Sequence, residues 1–209
     1  MTAATELRHA LRDACRAPHH RLDHHPLLAP LLKPGLTLAR YQCVLQVMDW
    51  LHRPLHACLV AALQQHTPSH SYRPSARLAW LEEDRKWFGQ APCAAPAPLV
   101  AWTGPAIPDA AALVGALYVV EGSALGGQII NRQLAVTLGL GAHTGARFFH
   151  GNGAHTMDCW SNYWDFAMEV CGPGDTPAIC AAAVRMFDDF DNLFSAATHH
   201  LEAPVRHNA

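Results

Sequence analysis

The sequence predicts an all-α fold in a single domain. Leucine, alanine and valine recur at helical spacing along most of the 209 residues, and no segment sustains the apolar-polar alternation typical of a β-strand. Half of the residues are apolar and only 15% are charged, so the chain can bury a sizeable core. We expect one domain over residues 1–209, with a loose tail after about residue 200.

Charge and cysteine content argue against several classes of protein. Lys plus Arg (15) against Asp plus Glu (17) gives a net charge of −2, which predicts no nucleic-acid partner and no basic membrane patch. No run of 18 apolar, uncharged residues exists, and the N-terminus does not resemble a secretory signal. None of the seven cysteines pairs at zinc-knuckle or redox spacing. We therefore expect a cytoplasmic protein with reduced thiols and no membrane segment.

The first half of the chain predicts three helices. The first covers about 6–22 and is interrupted or restarted at Pro18. The second covers about 37–65, with a threonine at its start as N-cap and a proline that should kink it. The third covers about 75–88. The proline-rich segment 89–108 that follows is predicted to be an ordered connector or a mobile loop.

The second half predicts three more helices. A long apolar helix begins with an aspartate cap and covers about 109–138. A glycine-rich turn region, 139–153, leads to a helix over about 155–170. The last helix opens with Asp-Thr-Pro, a cap followed by proline in the first turn, and covers about 175–198.

Three glycines interrupt the propensity of the long apolar helix: Gly122, Gly126 and Gly127. Each glycine inside a helix costs about 1 kcal/mol relative to alanine, so a compensating reason is expected. Gly122 and Gly126 share one face at a spacing of four residues, which lets a flat ligand lie on the backbone. Close packing against another helix is an equally good interpretation of the glycines alone.

A histidine of the first helix decides between these interpretations. Helical spacing places His19 with Leu11, Cys15 and Leu22 on an apolar stripe, whereas His20 falls on the polar side. A lone histidine on an apolar face is often only a core residue. A buried neutral imidazole that faces a flat glycine helix is, however, what axial ligation of a haem iron requires.

A different metal site is poorly supported by the sequence. Three histidine pairs have a spacing of four residues, namely His20/His24, His52/His56 and His66/His70. None has a carboxylate or cysteine at ligand spacing. A di-iron or thiaminase-like member of a similar helical fold would need further carboxylates in register, and the only Glu-x-x-His runs from Glu6 to His9.

One pattern extends in order over nearly the whole chain: Leu11-Arg12, then His19-x-x-Leu22-Asp23, then Tyr118-Val119-Val120-Glu121-Gly122-Ser123-x-Leu125-Gly126-Gly127-Gln128-x-Ile130, then Phe148-Phe149 with Gly153 and Trp160. With this pattern the sequence resembles bacterial haem (heme) oxygenases, and most of all the branch associated with bacteriophytochromes. The segment from Glu121 to Gln128 is the specific part of this match.

The resemblance implies that haem lies between a proximal helix bearing the axial ligand His19 and a kinked distal helix. Haem is then both substrate and cofactor. With O2 and electrons from an external donor, such as a ferredoxin or a reductase, it is cleaved to biliverdin, CO and ferrous iron. The implied product is the alpha isomer, supplied to a bacteriophytochrome. The implied catalytic segment comprises Gly122, Ser123, Gly126 and Gly127.

The same resemblance suggests further residues around the haem. The candidates are Gln128 near the distal water network, Arg132 and Arg185 at the propionates, Arg16 or Arg21 on the proximal side, and Phe166 and Phe187 covering the ring. Solvated arginines and ordinary aromatic core packing would explain these residues as well, and Trp160 is interpreted as structural. A haem-binding carrier or sensor remains the alternative function, although the glycine segment offers no second axial ligand.

Overall fold

The computed structural model describes residues 2–67, 69 and 71–202, and no β-strand occurs among them. These residues form α1 (Ala3–Asp23), α2 (Leu38–His66), α3 (Arg77–Trp87), α4 (Ala97–Val100), α5 (Ala110–Leu138), α6 (Arg147–His150), α7 (Thr156–Val170) and α8 (Thr176–Glu202). The predicted all-α fold is confirmed. Most of the tail predicted to be loose lies outside the described residues, and its first two residues still belong to α8.

Side-chain caps fix the starts of the two longest helices. The hydroxyl of Thr37 accepts a hydrogen bond from the backbone N–H of Arg40 at 3.2 Å, as the sequence predicts. The carboxylate of Asp109 accepts one from the N–H of Ala112 at 2.8 Å. At the other end of α5, Gly139 adopts a φ of +66°, a left-handed conformation that glycine enters without steric cost.

The predicted break at Pro18 is wrong, because α1 continues through this residue as one helix. Pro18 is buried among the apolar residues of α1, so packing compensates for the backbone hydrogen bond that proline cannot donate. Helix α2 is likewise one element with Pro54 inside it. Helix α8 extends four residues past the predicted end at 198, and the short α6 lies within the predicted turn region.

Helix α8 packs along both α1 and α5 and so organises the core. Two contacts with α1, and a third with a residue just after it, follow the same direction along both segments, so α1 and α8 run parallel. The ring of His19 lies 5.8 Å from that of Phe187, Arg21 pairs with Asp188, and Nε2 of His25 lies 3.1 Å from the hydroxyl of Ser195.

The first half of α5 lies deep in this core. A Cβ on Gly115 would lie 2.4 Å from the carbonyl oxygen of Ile179 in α8, so the two helices approach as closely as their backbones allow. By length and composition α5 is the one helix in the described part of the chain that could cross a membrane. More than half of its most apolar window is buried inside the protein, as in the core helix of a soluble fold.

Helix α6 is held against α5 by a buried carboxylate of α3. Asp84 accepts hydrogen bonds from the backbone N–H groups of Arg147 and Phe148, at 2.7 and 2.8 Å. Burial raises the pKa of Asp84 to about 6, although these two donors favour the ionised form. This anchor brings α6 to the side of α5 on which Gly127 lies.

Candidate active site

His19 projects from α1 with 62% of its side chain exposed. Its Nδ1 lies 2.9 Å from a carboxylate oxygen of Asp23, one turn later on the same helix. Because a carboxylate accepts hydrogen bonds, this contact favours the tautomer with the proton on Nδ1 and leaves the lone pair of Nε2 free. The edge of the ring rests on Phe187. The imidazole is thus oriented and accessible, as a metal ligand must be.

The expectation that His19 lies buried on the apolar stripe is wrong. The buried residues of α1 are Leu7, Leu11, Cys15, Pro18 and Leu22. The buried residue that follows Cys15 is three positions later, at Pro18, and not four positions later, at His19. Pro18 is therefore buried, and His19 lies at the exposed edge of the stripe. The expected exposure of the neighbouring His20 is confirmed.

The glycine segment of α5 presents an open, flat face. A Cβ on Gly126 would meet no atom within 4 Å, whereas a Cβ on Gly122 would lie 3.4 Å from the indole of Trp160. Beside the glycines, Leu125 and Ile129 are 37% and 52% exposed. An apolar surface with no side-chain ridge is suited to a planar aromatic ligand.

The opposite side of the same segment is closed by packing. A Cβ on Gly127 would lie 3.2 Å from the carbonyl oxygen of Phe149 in α6. The amide of Gln128 donates hydrogen bonds to the carbonyl of His150 at 2.7 Å and to the hydroxyl of Thr156 at 3.3 Å. Gln128 therefore links α5 to the start of α7. Of the two interpretations of the glycines, space for a ligand applies to Gly126 and close packing applies to Gly127.

The buried cation Arg77 lies behind the glycine segment and was not predicted from the sequence. Ser123 is exposed and donates from its hydroxyl to the carbonyl of Val120 at 2.8 Å. The same carbonyl accepts a hydrogen bond from the buried guanidinium of Arg77, whose Nε has no partner among the residues described. Burial, and then the charge of Arg77, lower the pKa of the buried His52, which is therefore neutral. Nothing in the local sequence marks Arg77 as buried.

The glycine face of α5 and the His19 face of α1 are brought towards the same region by Tyr118, whose pKa responds to residues of α1, and we infer a groove between the two faces. On α1 the spacing of eleven residues puts Arg8 and His19 on one side, and on α5 the spacing of four does so for Tyr118, Gly122 and Gly126. Burial, and then the nearby Cys15, raise the pKa of Tyr118 to about 12. The guanidinium of Arg8 lies 4.8 Å above the ring of Trp164, which packs on Tyr118.

One cation next to this groove was not among the expected ones. The charge of Arg12 lowers the pKa of Tyr118 against the larger effect of burial, so Arg12 acts electrostatically on the phenol. Arg132 is exposed and makes no ion pair within the described part of the chain. Arg16 pairs with Asp13 at 2.5 Å, which holds its guanidinium at the surface of α1.

Other expected residues lie away from the groove. Arg21 is paired with Asp188 on α8. Arg185 lies two positions from Phe187, hence on nearly the opposite side of α8, where it lines a separate cavity with Trp102. Of the two expected aromatic residues, Phe187 reaches His19. Phe166 instead stacks on Tyr72 at 4.5 Å, in a cavity of about 740 Å³ beside segment 71–76.

The histidine pairs form no larger cluster. The rings of His20 and His24 stack at 4.2 Å, and Nδ1 of His24 contacts the carbonyl of His20. His70 of the third pair lies outside the described residues. Within residues 2–67, 69 and 71–202, no group of three or more His, Cys, Asp or Glu side chains is placed to hold a metal ion.

Comparison with known proteins identifies relatives of the whole chain. A family model described as heme oxygenase matches residues 5–196. Among solved structures, that of heme oxygenase from Leptospira interrogans matches with a TM-score of 0.69 and 18% sequence identity. This match covers 94% of the present chain and 100% of the other, and at that identity it shows a shared fold. No curated protein matches the sequence.

Proposed function

Because the chain belongs to the haem oxygenase family, we propose that the groove between α1 and α5 is its haem site. Haem oxygenases are enzymes that degrade haem to biliverdin with O2 and a reductant, and this protein is an enzyme of that kind. The groove fits the group, since it combines an accessible imidazole, a flat apolar face and nearby arginines.

We assign Nε2 of His19 as the axial ligand of the haem iron. Asp23 holds Nδ1, which fixes the orientation of the ring and makes Nε2 a better electron donor. Bound haem would supply both the iron at which O2 is activated and the macrocycle that is oxidised. The edge contact with Phe187 further limits rotation of the imidazole.

The segment Gly122–Gly127 is assigned to the distal side. At Gly126 the backbone alone borders the groove, so the helix controls sterically what fits above the ring. The exposed hydroxyl of Ser123 can serve ordered water there. Behind it, the buried guanidinium of Arg77 donates to the carbonyl of Val120, and the nearby buried carboxylate of Glu121 offsets its charge.

The propionates are assigned to the end of the groove marked by Arg12 and Tyr118. A guanidinium beside a phenol provides several hydrogen-bond donors for a carboxylate. Arg132, exposed and without an ion pair to any described residue, stays a predicted second contact. Arg185 is not retained in this role, because it lies on the far side of α8.

Further parts of the proposal concern the product and its setting. We propose the alpha isomer of biliverdin as product, a bacteriophytochrome as its acceptor and a ferredoxin or reductase as electron donor. The motif resemblance supports these assignments. We also propose a single domain over residues 1–209 in the cytoplasm. The family match over 5–196 supports the single domain. Seven free cysteines are typical of a reducing compartment and support the cytoplasmic location.

The observations that carry the proposal are an accessible His19, oriented by Asp23, and an open backbone face at Gly126. The test is a titration of the protein with hemin, followed by ascorbate or a ferredoxin system in air, with catalase and an iron chelator. We expect a saturable one-to-one Soret band that decays into the broad red absorption of biliverdin. A Soret band that persists would indicate the carrier or sensor instead. No band at all would overturn the haem site.

A further inference from the structure

The two glycines on the open face of α5 have different surroundings. The position of a Cβ on Gly122 lies 3.4 Å from Cη2 and 3.6 Å from Cζ3 of Trp160, whereas the corresponding position on Gly126 is open. The indole of Trp160 therefore borders the groove one helical turn before the open glycine. A planar ligand on this face can extend freely over Gly126 but meets the indole at Gly122.

The indole is held firmly from behind. Trp160 stacks on Tyr163 at a centroid distance of 5.0 Å with an angle of 11° between the rings. The hydroxyl of the fully buried Tyr163 donates to the carbonyl of Val114 in α5 at 3.1 Å. Trp164 contacts the indole edge-on at 5.2 Å. Because these contacts restrict its rotamers, Trp160 acts as a fixed wall and not as a swinging gate.

We propose that Trp160 is a specificity-determining residue, whose indole limits how far the haem macrocycle extends over Gly122 and so selects the meso edge that lies at Gly126. This role rests on the haem site proposed above. The four sides of the macrocycle are nearly equivalent in shape, so a quarter turn in its plane exchanges one meso edge for the next. The fixed indole of Trp160 on one side favours the in-plane orientation of the haem, called its seating below, that places the least bulky edge against the indole.

The experiment compares Trp160→Ala and Trp160→Phe with the wild-type protein. Met157→Ala is the matched control, because Met157 lies one turn earlier on α7, is 63% exposed and has no assigned role. The first readout is the seating of haem, from the hyperfine-shifted methyl resonances of the ferric cyanide complex in ¹H NMR. The second is the ratio of biliverdin isomers, separated by chromatography.

We expect Trp160→Ala to raise the ratio of minor to major isomer by about tenfold, the usual effect of removing a steric determinant from an apolar pocket. The NMR spectrum should show a second seating in the same variant. Trp160→Phe should give a smaller change, since a ring remains in place. Met157→Ala should match the wild type in both readouts.

An isomer ratio and an NMR seating that stay at wild-type values in Trp160→Ala would overturn this role. If that variant fails to fold or to bind hemin, Trp160→Phe decides in the same way. A wild-type protein that binds hemin without turnover is judged by seating alone. The absence of hemin binding in the wild type would overturn the haem site and this role together. Hemin binding with unchanged seating in Trp160→Ala would overturn the role of Trp160 alone.

Discussion

Helix α5 carries glycines in two contrasting settings. At Gly115 a Cβ would lie 2.4 Å from the carbonyl oxygen of Ile179 and 2.7 Å from the Cβ of Ala182, so the residue is a contact point between helices. At Gly126, three turns later, a Cβ would meet nothing within 4 Å. The first glycine serves the packing of the fold, and the second leaves space for a ligand.

The same division runs through α1. Leu11 and Cys15 are buried in the core, whereas His19 and Asp23 lie exposed at the edge of the same helix. Each helix thus has one side that holds the fold together and another that borders the groove. Substitutions on the packing side should therefore change the free energy of unfolding, and substitutions on the groove side should change hemin binding.

The largest expected effect lies on the groove side, at His19→Ala. Removing the only nitrogen assigned to the iron should abolish the histidine-ligated Soret spectrum. Because the side chain is exposed, the free energy of unfolding of the ligand-free protein should change by less than about 0.5 kcal/mol. The measurement is a hemin titration with His20→Ala as control, which should keep the spectrum. Loss of the spectrum in His20→Ala and its retention in His19→Ala would show that His19 is not the ligand.

On the packing side, Gly115→Ala should destabilise the protein by about 3 kcal/mol. The added methyl group would collide with the backbone of α8 at Ile179 and Ala183, which a side-chain rotation cannot relieve. Chemical denaturation of the ligand-free protein measures this change. An unfolding free energy within 1 kcal/mol of wild type, on the order of a tolerated core substitution, would show that α5 and α8 can separate without loss.

A smaller effect concerns the contact of α6 with the closed side of α5. The pKa of Asp84 is raised by burial to about 6 in the folded protein, above that of a carboxyl group in an unfolded chain. The folded state therefore binds more protons between about pH 4 and pH 6, and stability falls as pH rises through this window. We expect a loss of about 2 kcal/mol from this group.

The check is denaturation across that pH range in wild type and Asp84→Asn. An asparagine keeps an acceptor for only one of the two N–H groups of α6, so the variant should be less stable, but it does not titrate and should lack this part of the pH dependence. Identical profiles for the two proteins would mean that another group causes it.

The smallest expected effect has the opposite sign on stability. Gly126→Ala should raise the free energy of unfolding of the ligand-free protein by about 1 kcal/mol, because alanine favours the helix and meets no neighbour here. The same methyl group stands on the floor of the groove and should weaken hemin binding by about tenfold. Gly174→Ala also adds a methyl group in open space, away from the groove, and should leave hemin affinity unchanged.

Most of the fold could be predicted from local sequence patterns. The threonine and aspartate caps of α2 and α5 lie where the sequence indicates, because capping involves residues only three apart. The continuity of α1 through Pro18 could not be predicted in this way. It depends on apolar packing with other helices, which offsets a local penalty that the sequence shows clearly.

The candidate site was predicted in part. His19 contacts Phe187, although the histidine is exposed and not buried, and Gly126 lies on the open face of α5; their meeting at one haem site stays a prediction. Arg185 and Phe166 fall on other surfaces, since a helical position does not say which neighbour covers it.

The roles inferred for Asp23, Arg12, Trp160 and Arg77 were missed. Asp23, Arg12 and Trp160 lie in the segments that carry the family resemblance, and Asp23 had a further signal as a carboxylate four residues after a candidate ligand on the same helix. Arg77 had neither.

The amino-acid sequence alone therefore determined the helical class, the starts of the two longest helices, and a histidine and a glycine segment typical of a haem site. These features depend on residues within one or two turns of each other, which a linear pattern records. Only the tertiary structure decided that Gly115 and Gly126 differ, that Trp160 borders Gly122 and that Arg77 lies buried behind Val120. Each of these depends on which helices pack together and in which register, and that is set by long-range burial of apolar surface.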